Sequence, residues 1–505
     1  MADLVPQNVK SDESQTMARP VRDVLRRLTQ SFAIYGGANF ALRALNFLLI
    51  IIYARFLRPS DYGIIYLAEI VASFLAILAG LAIDSALERL YFQHAQDQEA
   101  LNVYLGSAIR FGFCWMVLFV SATLVFGWRF QEHLPLQAQA PFYPYIAMAI
   151  VTAALSQGIQ YRLAVYQVSG HRRSYVMLSF VLAVATAGLC LYWVVVRRDG
   201  AIGMFKGKLL AAVLTFLIAA WSMRPYLTAR FRWEFVRDSL SFSLPLIPHL
   251  IMASGLVVAD RFILAHYRDL SEVGIYSLAY SFGMVMYLVT QSLSQAWLPL
   301  FYELAGQERR KVLGDVCSGL IIFLAALACL GMLFSPLFVH IALDDRYHAA
   351  ARIVPLVIMG YLFHALFSLF DLSILNAKRT ASVFAISLLA FTANLALNLS
   401  MVPRWGMYGA AWATTIAYGI EALGAYLLAQ RFFNLPYRAF EILVSIAVAG
   451  GALWLTQAPV IAKGKGLLLV LAAVPALGLL ALLGKQNLLS SVILIRNHGK
   501  RGASA

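Results

Sequence analysis

Apolar runs of about twenty residues, separated by short polar clusters, recur along the whole chain. A helix rises about 1.5 Å per residue, so each run is long enough to cross a hydrocarbon core ~30 Å thick. In lipid, an unclosed chain satisfies its backbone hydrogen bonds only by becoming helical. The pattern predicts helices at about 31–54, 62–84, 105–128, 142–165, 175–196, 201–223, 243–266, 273–300, 314–342, 353–375, 381–402, 407–430, 439–458 and 466–484. The connections are too short to hold a globular domain. The expected fold is an all-α polytopic membrane protein with about 14 transmembrane helices.

The pattern also repeats. Ser60-Asp61-Tyr62-Gly63-Ile64-Ile65-Tyr66-Leu67-Ala68 returns as Ser271-Glu272-Val273-Gly274-Ile275-Tyr276-Ser277-Leu278-Ala279, with five of nine positions identical and an acid replacing an acid at a sixth. Residues 172–211 align without a gap on 378–417, pairing Arg173 with Arg379, Arg198 with Arg404, Gly200 with Gly406 and Gly203 with Gly409. Both offsets are close to 210 residues and span an even number of helices. Helices 1–6 and 7–12 therefore read as parallel, pseudo-symmetric six-helix bundles, followed by two C-terminal helices. A transporter with its substrate site between the halves has this layout. The expected divisions are a basic N-terminal segment at 1–30, a first bundle at 31–223, an interfacial connector at 224–240, a second bundle at 241–430, two appended helices at 431–484 and a basic tail at 485–505.

Charge sets the orientation. With the N-terminus in the cytoplasm, the inner segments hold 24 of the 40 lysines and arginines, which favours cytoplasmic N- and C-termini. The first thirty residues lack an apolar core, so no cleavable signal peptide is expected. The formal net charge of +15 is spread over many inner connections, which argues against nucleic acid and for anionic membrane lipids as partners. Val21, Val24, Leu25, Leu28 and Phe32 recur at helical spacing between arginines, suggesting an interfacial helix before the first span. In the connector, Arg230, Arg232 and Arg237 alternate with Phe231, Trp233 and Phe235. Composition agrees with the pattern: 61% of residues are hydrophobic, 13% are charged, and the mean hydropathy is +0.74. Cys114, Cys190, Cys317 and Cys329 all lie inside apolar runs without metal-ligand spacing, so they read as packing residues.

Ionisable groups within a span are costly, so each is a candidate for function. Arg43 lies about twelve residues into the first helix, with Asn46 one turn later and Arg55 toward the outer end. Such a stripe offers fixed positive charge to an anionic substrate, and guanidinium geometry suits phosphate oxygens. The opposing reading is an ion pair from Arg43 to Glu69. Arg110 in the third helix is either a ligand group or a snorkelling cation. Asp260-Arg261 in the seventh reads as a ligand site or a local ion pair. Glu69, Asp371 and Glu421 are the remaining buried-looking acids, suited to a coupling proton or sodium ion or to a counter-ion role. Asn394 and Asn398 share a helix face and could bind sugar hydroxyls or join two helices.

No phosphate-binding glycine loop, metal-ligand cluster or nucleophile elbow is present, so neither an ATP-driven pump nor an enzyme is expected, and no cofactor. The connection Asp84-Ser85-Ala86-Leu87-Glu88-Arg89 lacks the glycine- and arginine-rich signature of major-facilitator transporters.

The runs Tyr35-Gly36-Gly37, Tyr53-Ala54-Arg55-Phe56-Leu57 and Asp61-Tyr62-Gly63-Ile64 resemble the opening of polysaccharide biosynthesis proteins, the Wzx-type flippases of bacteria. Gly406-Met407-Tyr408-Gly409-Ala410-Ala411-Trp412-Ala413-Thr414 resembles their twelfth helix. The resemblance implies the multidrug/oligosaccharidyl-lipid/polysaccharide exporter superfamily and two bundles around a cavity. It implies passage of undecaprenyl-pyrophosphate-linked oligosaccharide from the inner to the outer leaflet of the bacterial inner membrane, for exopolysaccharide, capsule or O-antigen. Related lipid flippases line that cavity with cationic residues of the first helices, which points to Arg43 and Arg55. A polysaccharide polymerase and a chain-length regulator are the protein partners such a role suggests. The alternatives are a small-cation or drug antiporter of the same superfamily and a non-transporting component of the pathway.

Overall fold

A computed structural model describes residues 45, 47–94, 96–131, 141–227, 230–306 and 310–457. The interfacial helix expected before the first span, the basic tail and the span expected at 466–484 lie outside the described residues, as do Arg43 and Asn46. Among the described residues the chain is all α, without a strand. In chain order the helices are α1 (Phe47–Phe56), α2 (Pro59–Gly80), α3 (Ile83–His94), α4 (Gln98–Gln131), α5 (Ala147–Val168), α6 (Arg172–Leu191), α7 (Gly200–Ser222), α8 (Arg224–Leu227), α9 (Trp233–Ser243), α10 (Leu246–Tyr267), α11 (Leu270–Gly306), α12 (Arg310–Ala342), α13 (Ala350–Asn376), α14 (Thr380–Phe432) and α15 (Ala439–Gln457). Ten helical stretches among the described residues are long and apolar enough to span a bilayer. The protein is a multi-pass membrane protein.

Acidic side chains start several helices. Asp97 Oδ1 accepts the amides of Glu99 and Ala100 at 2.9 and 3.2 Å at the head of α4. Asp269 Oδ1 accepts that of Glu272 at 2.9 Å at the head of α11. These bonds satisfy donors that the helix itself leaves orphaned.

The chain forms two compact units. One comprises the described residues of 1–50, 71–127 and 147–251, and the other those of 51–70, 128–146 and 252–505. In the first, an apolar core joins α3, α4 and α5 around Leu87, Leu105, Ile109, Ile159 and Tyr161. Tyr104 and Tyr161 are fully buried there, and each hydroxyl donates to a carbonyl, of Ala86 and Gly80 respectively. Connector helix α9 buries Val236 and Ser239 and exposes Phe231 and Trp233 beside it.

In the second unit, α14 is a hairpin. A straight helix of its 53 residues would run roughly 80 Å, far beyond a ~30 Å core. Gly406, at φ 55° and ψ −134°, breaks it. The fold-back shows in the pairs across it: Gly409 lies against the Met401 carbonyl, Asn394 bonds Thr414, and Ser387 bonds Glu421. The predicted helices 381–402 and 407–430 are its two arms. The first unit holds the counterpart the repeat predicts. Gly200, aligned with Gly406, also has positive φ (63°) and turns α6 and its π-helical end at Tyr192–Val196 into α7. Gly203 lies against the Trp193 carbonyl as Gly409 lies against that of Met401. A side chain at Gly409 would strike backbone and one at Gly203 would press on it, so the glycines that reveal the repeat are those that close each hairpin.

The other repeated segment begins α2 and α11. Gly63 faces the carbonyl of Leu270, and Gly274 faces that of Pro59, each so closely that a Cβ would overlap the opposing oxygen. The two leading turns thus meet in a reciprocal glycine contact, extended by Tyr66 Oη to Ser281 Oγ at 2.7 Å.

Candidate functional site

In the second unit, a set of polar groups lies inside the apolar helices α10, α11, α13 and α14. On α10, Arg261 Nη1 reaches back to Asp260 Oδ1 at 3.0 Å, and its own amide donates to the same oxygen at 2.8 Å. Tyr276, from α11, donates its hydroxyl to Asp260 Oδ2. The guanidinium stands over the rings of Tyr280 (4.5 Å) and Tyr276 (5.5 Å). Only 9% of the arginine side chain and 5% of the aspartate side chain remain exposed. A buried charge is tolerable when paired and hydrogen-bonded, and this pair meets both conditions.

Along α11 and α13 the same lattice continues as aromatic contacts. Tyr280 and Tyr287 both pack on Tyr361 of α13, with centroids 5.9 and 5.5 Å apart, and Tyr361 stacks on Tyr418 of α14 at 6.3 Å. On the first arm of α14, Asn394 reaches the second arm and Asn398 reaches Asn394. Asn394 Nδ2 donates to Thr414 Oγ1 at 3.2 Å, and Asn398 Nδ2 donates to the Asn394 carbonyl at 2.9 Å. Asn394 thus joins the hairpin arms, a common use of asparagine in membranes, while Asn398 bonds within its own arm.

A second group of titratable side chains lies between α13 and the second arm of α14. His364 Nδ1 stands 3.7 Å from Glu421 Oε2, and Ser387 donates to Glu421 Oε1 at 2.9 Å. Asp371, seven residues after His364 on α13, leaves Oδ1 buried without a hydrogen bond.

The other sequence candidates lie elsewhere. Arg55, at the end of α1, is exposed, and its carbonyl accepts Arg346 Nη2 at 3.4 Å. Arg346 also binds Asp344 at 2.6 Å, in the α12–α13 turn, and holds that carboxyl below the ordinary range. A cation is well placed at a helix C-terminus, where carbonyls carry partial negative charge. Arg110 of α4, in the first unit, donates Nε to the Gly106 carbonyl at 2.9 Å and covers the Phe231 ring at 5.5 Å. Glu69 on α2 is half-buried. Among the described residues no cluster of three or more histidines, cysteines or acids forms a metal site. The four cysteines are free, three of them buried.

Reading charges alone misses His364 and the tyrosines. A signal exists in their spacing: Thr414, Tyr418 and Glu421 fall at i, i+4 and i+7 on one face, as do Tyr361, His364 and Ser368 at i, i+3 and i+7.

The model of a family described as polysaccharide biosynthesis protein matches residues 28–305, more than half the chain, and that of MatE matches 245–400. A curated relative from Haloferax volcanii, named "Probable low-salt glycan biosynthesis flippase Agl15", is 22% identical over 83% of this chain and 87% of its own. An Lsg locus protein of Haemophilus influenzae is 22% identical over 55% of this chain and 66% of its own. Among solved structures, lipid II flippase MurJ in an inward closed conformation aligns at a TM-score of 0.68 and 16% identity, covering 90% of this chain and 99% of that one. An inward-facing multidrug resistance transporter of the MATE family aligns at 0.60 and 13%, covering 77% and 94%.

Proposed function

This chain belongs to the polysaccharide biosynthesis protein family, and we propose that it is a flippase for lipid-linked glycan. The finer reading is an undecaprenyl-pyrophosphate-linked oligosaccharide, moved by alternating access from the inner to the outer leaflet of the bacterial inner membrane, with both termini cytoplasmic. The observation that carries it is the alignment of 83% of the chain with a relative named as a glycan biosynthesis flippase. Physical chemistry points the same way. A pyrophosphate and many sugar hydroxyls cannot cross hydrocarbon unaided, so the carrier must supply polar groups inside the membrane while the polyprenyl tail stays in lipid. Arg43, Asn46 and Arg55 are the groups assigned to the pyrophosphate, and the polar lattice of the second unit is assigned to sugar. No bond is made or broken in this reading.

The test is complementation of a deletion strain with Arg43→Ala and Arg43→Lys. Surface polysaccharide and accumulated lipid-linked repeat units are both scored. Loss of polymer with intermediates accumulating, at normal protein level, supports the flippase and the role of Arg43. Unchanged polymer in both variants removes Arg43 from the mechanism. The match of MatE to residues 245–400 favours a second reading, a small-cation or drug antiporter. It takes over if deleting the whole gene leaves polysaccharide intact and changes drug tolerance.

A further inference from the structure

We propose that Arg162, cradled by Tyr166 and Tyr226, is a binding site in the first unit for a phosphoryl oxyanion of the kind a lipid headgroup presents. The inference stands apart from the flippase reading, and neither depends on the other.

The site is defined by what the guanidinium has and what it lacks. Arg162 is 8% exposed, and its guanidinium carbon stands 3.9 Å from the ring centroid of Tyr166 and 5.4 Å from that of Tyr226. A ring attracts a cation through its face, whereas the N–H donors of arginine point outward in the guanidinium plane. Aromatic packing therefore leaves those donors unused. Nε and Nη1 are buried without a hydrogen-bond partner, and Arg162 forms no ion pair among the described residues. The acids of α3 are engaged elsewhere: Asp84 accepts from Gln157 at 3.1 Å, and the electrostatic neighbour of Glu88 is Asp84. The second unit contains the same kind of cradle with its anion in place. Arg261 also stands over two tyrosine rings, at 4.5 and 5.5 Å, but Asp260 Oδ1 accepts its Nη1 at 3.0 Å. A buried guanidinium is tolerable with such a partner and costly without one. Arg162 has the rings and not the anion, and an anion from outside the protein completes it.

Position selects the anion. Arg162 lies six residues before the end of α5 at Val168, roughly 9 Å along the helix axis. That depth is within snorkelling reach of the headgroup level of a bilayer. Phosphate is the common oxyanion there, and its oxygens match guanidinium donors two at a time. Of the three guanidinium nitrogens only Nη2 keeps any exposure, so an incoming phosphoryl group meets it first. Nη2 belongs to both donor edges, one shared with Nε and the other with Nη1, and either edge then supplies the second bond. Basic residues surround the approach. His171 packs on the far partner of Arg162, with its ring 6.3 Å from that of Tyr166, and Arg172 and Arg173 open α6. Arg224 opens α8 two residues before Tyr226. Neither the α5–α6 turn nor α8 contains an acid that would repel the ligand.

The experiment follows the full chain in phosphate-free maltoside detergent by native mass spectrometry and thermal unfolding, at constant ionic strength. The probes, added separately, are inorganic phosphate and short-chain phosphatidylglycerol. The wild type is expected to gain one saturable adduct that Arg162→Met lacks, and to unfold at a higher temperature as the probe is added. Arg162→Met should melt at one temperature with or without the probe. Arg162→Lys keeps the charge and loses the planar donor pair, so its dissociation constant is expected to rise at least tenfold. Because it retains the buried cation, the lysine variant carries the test if the methionine variant does not fold. A response to phosphatidylglycerol alone assigns the site to a lipid headgroup, and a response to inorganic phosphate as well assigns it to the phosphoryl group whatever its source. Equal binding by wild type and both variants, or no saturable binding of either probe by the wild type, overturns the proposal. None of these outcomes bears on the complementation assay, so failure of the anion site and failure of the flippase reading are told apart.

Discussion

The two units bury arginine in opposite ways. In the second, Arg261 sits beside its own carboxylate, with a tyrosine hydroxyl completing the pair and two rings over its face. In the first, Arg162 on α5 is just as buried, at 8% exposure, yet its Nε and Nη1 have no hydrogen-bond partner. It is held by the faces of Tyr166 at 3.9 Å and Tyr226 at 5.4 Å. The same side chain is an element of a charge-balanced network in one unit and a cation resting on aromatic rings in the other. Burial alone therefore does not identify a functional charge; what surrounds it does.

The largest expected effect removes the balance. Asp260→Ala takes the carboxylate from Arg261, which should cost about 3–5 kcal/mol and lower the thermal midpoint sharply in detergent. Replacing both residues by apolar ones of similar volume recovers most of that loss if the pair is structural. Failure to recover transport in the recovered fold would give the pair a further role. The reciprocal glycine contact of the second unit comes next. Gly274→Val drives a side chain into the Pro59 carbonyl and should cost about 1–3 kcal/mol, with Gly63→Val alike, read as loss of monodisperse protein on size exclusion.

Arg162→Met should change stability by no more than about 1 kcal/mol. The lost attraction to two rings is offset by relief of unbonded N–H groups, so a large loss in the melt would mean that the contrast between units is wrong. The smallest effect belongs to Asp344, whose folded carboxyl is depressed by Arg346. A depressed acid stabilises above its unfolded value, near pH 4, and that stability fades as pH falls through the folded value. Asp344→Asn should thus lower the melt slightly at neutral pH, with the difference vanishing in acid. The partners are more than a third exposed, so salt should weaken the effect too.

Much of the architecture is legible in the sequence because lipid leaves the backbone few options. The arms of α14 emerge almost where hydropathy puts them, and Gly200/Gly406 and Gly203/Gly409 mark in the sequence the repeat that both hairpins follow. Boundaries are less legible. The span expected at 62–84 runs through a break at Leu81 and Ala82, both at positive φ, into α3, because the break is a matter of packing and carries neither proline nor glycine at those positions. The site is legible only in part. Asp260, Arg261, Asn394, Asn398, Asp371 and Glu421 stand out as polar groups in apolar runs. His364 and Tyr418 do not, since their roles depend on which helices pack together, and a sequence gives each helix face without its neighbour. Arg55 shows the same limit, for the carbonyl beside it is what Arg346 engages.

The α14 hairpin bears on how the protein is made. Its two arms share one left-handed glycine as their hinge, so the ribosome delivers them with almost no hydrophilic spacer between. The insertion machinery meets Asn394 and Asn398 about one span before Thr414. An arm released into lipid alone would leave the Asn394 amide without its Thr414 partner, whereas both arms released together carry that bond already made. Cotranslational insertion of this segment is thus expected to proceed pairwise, with the first arm retained at the translocon until the second emerges.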